Sequence, residues 1–167
     1  MTSNLVQILV QVFNDLLSYL QIEHQFMGEV SESSMDLVEP VNILIDIKGN
    51  MAGHIILCYT KTTAKEIAAK LMGIENLEEL DIYAQAALVD FCGEFSKRVL
   101  NLIKQEQVLL ASNPNSMGDK QKGYNLVASN PRYLTGEEMQ GMIKKISSRK
   151  LFFQINGEKF NLAYNLD

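Results

Sequence analysis

The chain has 167 residues, 47% of them hydrophobic and 21% charged, a length that suits one domain with a real core and is short for two. Its 15 Lys and Arg against 20 Asp and Glu give a net charge of -5, which offers no general attraction for nucleic acid or an anionic membrane surface. Cys58 and Cys92 lack CxxC spacing, and His24 and His54 fit no HxxxH or HxxE pattern. No metal and no cofactor are therefore assigned, and the thiols read as small buried hydrophobes.

At the start, Leu5, Ile8, Leu9, Val12, Phe13, Leu16, Leu17 and Leu20 recur every three or four residues. That is the period of an amphipathic helix, with Ser3 or Asn4 available to cap it. Gln7, Gln11, Asn14 and Asp15 interrupt the apolar stretch and no basic flank precedes it, so it reads as neither signal peptide nor membrane span, and a cytoplasmic protein is expected. An extended piece follows at residues 25–30, then a Ser/Glu-rich loop at 31–39 that ends at Pro40.

Val41, Ile43, Ile45 and Ile47 alternate with other residues, Lys48-Gly49-Asn50 supplies turn chemistry, and residues 54–60 return as a second β-rich run. This predicts a hairpin. Thr62 or Thr63 can cap a helix over residues 64–72, closed by Gly73. The longest helix is predicted over residues 81–107. Leu88, Phe91, Cys92, Phe95, Val99, Leu102 and Ile103 gather on one side of it, and Asp90, Glu94, Lys97, Arg98, Asn101 and Lys104 on the other. Residues 112–123 read as a loop and 124–128 as extended. Asn156-Gly157 between residues 149–155 and 158–166 is the strongest hairpin signal in the chain.

Each half thus runs from an amphipathic helix through an irregular stretch to a hairpin. The expected fold is a single α+β domain over residues 1–167 with pseudo-twofold symmetry, in which two hairpins build one antiparallel sheet and long helices cover one face. Residues 160–166 are expected at a sheet edge, open to pairing with a second copy.

The segments IDIKGNMAGHIILCYT (with Gly49 and Gly53 in its turn), TAKEIAAKLMG and ASNPRYLTGEE occur in this order. In order and spacing they resemble the CheX/CheC chemotaxis phosphatases over nearly the whole chain. The resemblance implies a CheC-like fold and, as partner, a phosphorylated CheY-like response-regulator receiver. Any Mg ion would belong to that receiver, and a homodimer is a further expectation of the family. The resemblance also implies a working motif on one exposed helix face: an acidic residue or serine, Glu four residues on, and Asn three further. The Asn orients the attacking water and the Glu holds a lysine of the partner, so catalysis is placement alone.

Two registers carry this motif onto the long helix. Without gaps, the Glu position falls on Asp90 and the Asn position on Gly93; one turn on, the motif reads Asp90, Glu94 and Lys97. Neither contains the carboxamide. Glycine offers no side chain and lysine only donors, so neither can accept a hydrogen bond from water. Asn101 lies seven residues beyond Glu94, about 10 Å along the axis where the motif needs about 4.5 Å. Gln11 and Asn14 on the first helix have the three-residue spacing, in the half that pseudo-symmetry relates to the long helix, but with Gln where Glu is required.

Two functions are consistent with these residues. One is receiver binding, with Asp90, Glu94, Lys97 and Asn101 as the docking face and hydrolysis weakened by the missing amide. The other is a non-catalytic signalling adaptor or self-associating scaffold. The same side chains also fit an ordinary solvated helix side, with Glu94 and Arg98 as a common i,i+4 pair.

Overall fold

The computed structural model describes residues 2–30, 39–111, 125–143 and 148–167. The predicted loop at 112–123, most of that at 31–39, and Tyr124 lie outside the described residues.

The first helix, α1 (Thr2–Tyr19), begins before the expected caps, so Ser3 and Asn4 sit in its first turn and the Asn4 amide instead reaches Glu106 at 3.4 Å. Strand β1 (His24–Val30) follows. The first hairpin forms where alternation placed it, as β2 (Val41–Gly49) and β3 (Gly53–Tyr59). Helix α2 (Lys61–Met72) is capped by Thr60, two or three residues before the expected Thr62 or Thr63, because the Thr60 hydroxyl accepts from the Thr63 amide at 3.2 Å. Gly73 ends it with φ 69°, the left-handed conformation glycine adopts freely.

The long helix α3 (Ile82–Ala111) has 30 residues, about 45 Å at 1.5 Å per residue, and runs one turn beyond the expected end. Asp81 caps it, accepting from the Ala84 amide at 2.9 Å. Two short strands and a helix follow: β4 (Leu126–Ala128), β5 (Arg132–Thr135) and α4 (Gly136–Ile143). Sequence reasoning read residues 124–128 as extended, and missed β5 and α4 because each is too short to show a period. The second hairpin, β6 (Arg149–Ile155) and β7 (Glu158–Leu166), forms around Asn156-Gly157 as expected.

The sheet is larger than two hairpins. Its order is β1-β6-β7-β3-β2-β4, with β5 also paired to β2, and every pairing is antiparallel. The hairpins meet at β3 and β7, and each half lends its leading strand to the other half's hairpin: β1 to β6, and β4 and β5 to β2. This exchange is what the pseudo-twofold amounts to. It corrects the expectation for residues 160–166: β7 lies between β3 and β6, so the edges are β1 on one side and β4 with β5 on the other.

Helices α1, α2 and α3 bury one sheet face. Phe13 of α1 stacks on Phe160 at 4.7 Å and meets Phe91, Phe95 and Phe153 edge-on at 6.4, 6.0 and 4.8 Å. These are the separations at which rings attract beyond their buried area. On the opposite face Leu44, Ile56, Cys58 and Ala163 pack against Met139 of α4, so helices cover parts of both faces rather than one alone. Both thiols are buried as expected, and burial pushes Cys58 up to about 12 and Cys92 higher still, which removes the thiolate and with it reactivity. Among the described residues no helix is long and apolar enough to cross a membrane.

Candidate functional site

The two sides of α3 separate as its periodicity requires. Leu88, Phe91, Cys92, Phe95, Val99 and Ile103 are buried, with Leu102 half-buried, while Asp90, Glu94, Lys97, Arg98 and Asn101 are exposed. At roughly 100° per residue, Asp90, Glu94, Lys97 and Asn101 fall within a stripe about 60° wide. The helix therefore brings the four predicted docking residues onto one solvent-facing line. Arg98 donates to Glu94 at 2.8 Å with both side chains about half exposed (50% and 49%), a pair that adds only a few tenths of a kcal/mol to stability.

Gly93 is placed differently from that stripe. It is half-buried, and a Cβ built on it would meet the Pro131 ring at 3.7 Å. Pro131 is held there by the strand connection around it. The Ser129 amide donates to the Asp46 carbonyl at 2.8 Å, the Asp46 amide donates to the Ser129 hydroxyl at 3.0 Å, and Arg132 reaches the Asp46 carboxylate at 3.3 Å. The other oxygen of that carboxylate meets His54 Nδ1 at 2.7 Å. His54 of β3 thus braces the carboxylate that Arg132 of β5 reaches, and His24 Nδ1 contacts the Ile22 carbonyl at 2.7 Å, so both lone histidines have structural partners.

Helix α1 packs antiparallel to α3, as the Asn4–Glu106 and Phe13–Phe95 contacts show. Residues 5–17 and 88–100 carry the same burial class at every position except one, Asn14 being half-buried where Lys97 is exposed. In this alignment Gln7 corresponds to Asp90, Gln11 to Glu94, and Asn14 to Lys97. The match pairs the secondary candidates with the Glu94 and Lys97 register, and pairs Val10 with Gly93.

The two halves differ at that last pair. Beside α1 a groove of about 500 Å³ is lined by Val6, Gln7, Val10, Gln11, Asn14, Asp15 and Phe26, whereas in the second half Pro131 lies against Gly93. Asn14 is half-buried in the wall of this groove, and its Oδ1 has no hydrogen-bond partner among the described residues. Gln11 is exposed. Among the described residues no Asn or Gln amide is hydrogen-bonded to Asp90 or Glu94; the partner of Glu94 is Arg98. The burial match and the role of Pro131 were beyond sequence reasoning, since a half-buried glycine carries no signal of what it faces.

No protein-family model matches this sequence, and no curated protein matches it either. Solved structures do. CheX from Desulfovibrio desulfuricans superposes with a TM-score of 0.71 at 14% identity, over 98% of this chain and 99% of that one. This is a CheX/CheC fold. A CheC-like superfamily protein from Shewanella sp. PV-4 gives a TM-score of 0.74 at 14% identity, over 100% of this chain and 99% of that one. CheX from Borrelia burgdorferi, in a complex with CheY, BeF3 and Mg, gives 0.69 at 17% identity, over 96% of both chains. The fold expected from the two hairpins and from the order of the IDIKGNMAGHIILCYT, TAKEIAAKLMG and ASNPRYLTGEE segments is thus the fold observed.

Proposed function

We propose that this chain is a chemotaxis signalling protein of the CheX/CheC kind that docks on a CheY-like receiver through the exposed side of α3. The observation that carries this reading is the full-length likeness to a CheX crystallised with CheY, joined to the solvent-facing stripe of Asp90, Glu94, Lys97 and Asn101. A carboxylate on such a stripe can receive a lysine of the receiver, and a neighbouring carboxamide would set a water in line with the phosphoryl group. The chain has the first and lacks the second in both registers.

Docking without efficient hydrolysis is therefore the function proposed, and a metal, where one takes part, belongs to the receiver. The adaptor reading rests on the same missing carboxamide, with glycine at position 93 in one register and lysine at position 97 in the other. Phosphate loss from a purified phosphorylated receiver, followed with and without this protein, tests the proposal: binding with little or no acceleration is expected. Brisk turnover by the wild-type chain would overturn the missing-amide argument. Lys97→Asn, on the exposed stripe, is expected to raise the rate, and Gly93→Asn, facing Pro131, to leave it unchanged.

A further inference from the structure

The exposed side of α3 reaches further toward its start than the stripe of four. Tyr83 precedes Asp90 by seven residues. At roughly 100° and 1.5 Å per residue, that puts it inside the same arc and about 10 Å nearer the start of the helix. Tyr83 is 72% exposed and its neighbour Ile82 75%. Single exposed apolar side chains are ordinary on a soluble protein. Two large ones side by side in the first turn of α3, in line with a docking stripe, form a patch that association would bury. Ala86, exposed between Tyr83 and Asp90 on this side, is small, so a partner can lie close along the whole line.

The charge around this pair has one sign. Glu75, Glu78, Glu79 and Asp81 precede it, Asp90 follows, and no Lys, Arg or His lies between Lys70 and Lys97. Glu75, Glu78 and Glu79 are exposed and form no ion pair among the described residues. A second copy of this chain, itself at net charge -5, gains no attraction from such a surface. A partner with an apolar hollow edged by Lys or Arg is drawn to it. Resting on the docking proposal above, we infer that Ile82 and Tyr83 are the apolar anchor of the docking surface and seat in a base-edged hollow of the receiver. A tyrosine ring buries a large area for two rotatable bonds, which is why such rings carry a large share of interface energy. The anchor is separate from the phosphoryl group and from the positions of the motif, so it selects which receiver is bound and not which state of it.

Calorimetry of the full chain against each CheY-type receiver of the same genome, loaded with beryllofluoride and Mg2+, tests this. On the receiver that binds, Tyr83→Ala is expected to weaken affinity about tenfold and Ile82→Ala severalfold, while Tyr83→Phe keeps it, because the ring and not the hydroxyl does the anchoring. Thermal melting is expected to stay where the wild type has it in all three, since both side chains are exposed. The double variant Glu78→Lys, Glu79→Lys is expected to slow association about tenfold at low salt and to flatten its salt dependence. Wild-type affinity in Tyr83→Ala, a loss in Tyr83→Phe as large as in Tyr83→Ala, or faster association in the double variant would each overturn the inference while leaving docking in place. Failure of every receiver to bind the wild type would remove the docking proposal itself, and the anchor with it.

Discussion

Single residues set the hairpin ends and one edge of this fold. Gly49 and Gly53 flank the first turn with φ of 124° and 150°, and a Cβ on Gly53 would lie 1.6 Å from the Asn165 carbonyl oxygen. These glycines are there because the neighbouring strands pass too close for any side chain. Gly53→Ala is expected to lose about 1–3 kcal/mol from backbone conformation alone, with the clash adding to it, seen as a lower urea midpoint at unchanged slope. One residue from that contact, on the side toward the β1 edge, the Tyr164 hydroxyl donates to Glu29 at 2.5 Å, with Arg149 3.8 Å from the same carboxylate. Burial first, then the bond to Glu29, raises Tyr164 from its ordinary 10.0 to about 12. Because the folded value lies above the unfolded one, this contribution is complete below pH 10 and is lost as the pH climbs to about 12. Stability should fall across that window, and Tyr164→Phe should flatten the fall in a pH series of thermal melts.

At the scale of elements, α1 and α3 are one design used twice, with the same burial sequence over residues 5–17 and 88–100. What separates them is chemistry on the solvent side, amides on α1 against ions on α3, and the packing beside Val10 and Gly93. Phe13 is the point at which α1, α3 and both strands of the second hairpin meet. Phe13→Ala is expected to cost about 3–5 kcal/mol, measured by denaturant unfolding, and to loosen α1 from α3 together. The polar stripe of α3 was legible from period alone, because a helix must separate its sides once one of them is buried. The burial of Asn14 Oδ1 was not legible, since three-residue spacing says which side chains are neighbours and nothing of where an amide turns.

For the whole molecule, the exchanged strands matter most. Among the described residues, strand β1 pairs only with β6 of the second half, and β4 and β5 only with β2 of the first. Neither half can close its own sheet. A fragment of residues 1–80 or 81–167 is therefore expected to show little cooperative melting by circular dichroism, and the intact chain a single transition, because its two hairpins share one sheet. Among the described residues, a dimer built by sheet extension has only β1 or the β4 and β5 side to use. The bulge between Phe26 and Gly28 makes β1 irregular, a feature that discourages edge pairing.

Local chemistry wrote much of this protein directly into its sequence. Alternation over β2, the Asn156-Gly157 turn, Gly73 at the end of α2 and the two sides of α3 all follow from contacts a few residues apart, and so does the absence of a carboxamide at Gly93 or Lys97. Tertiary structure decided the rest. That β7 is central, that β1 crosses to β6, and that Pro131 comes to rest against Gly93 depend on pairings between residues far apart in the chain. Such pairings leave no period for a reader of sequence to find, because the energy that selects them comes from burying whole faces at once.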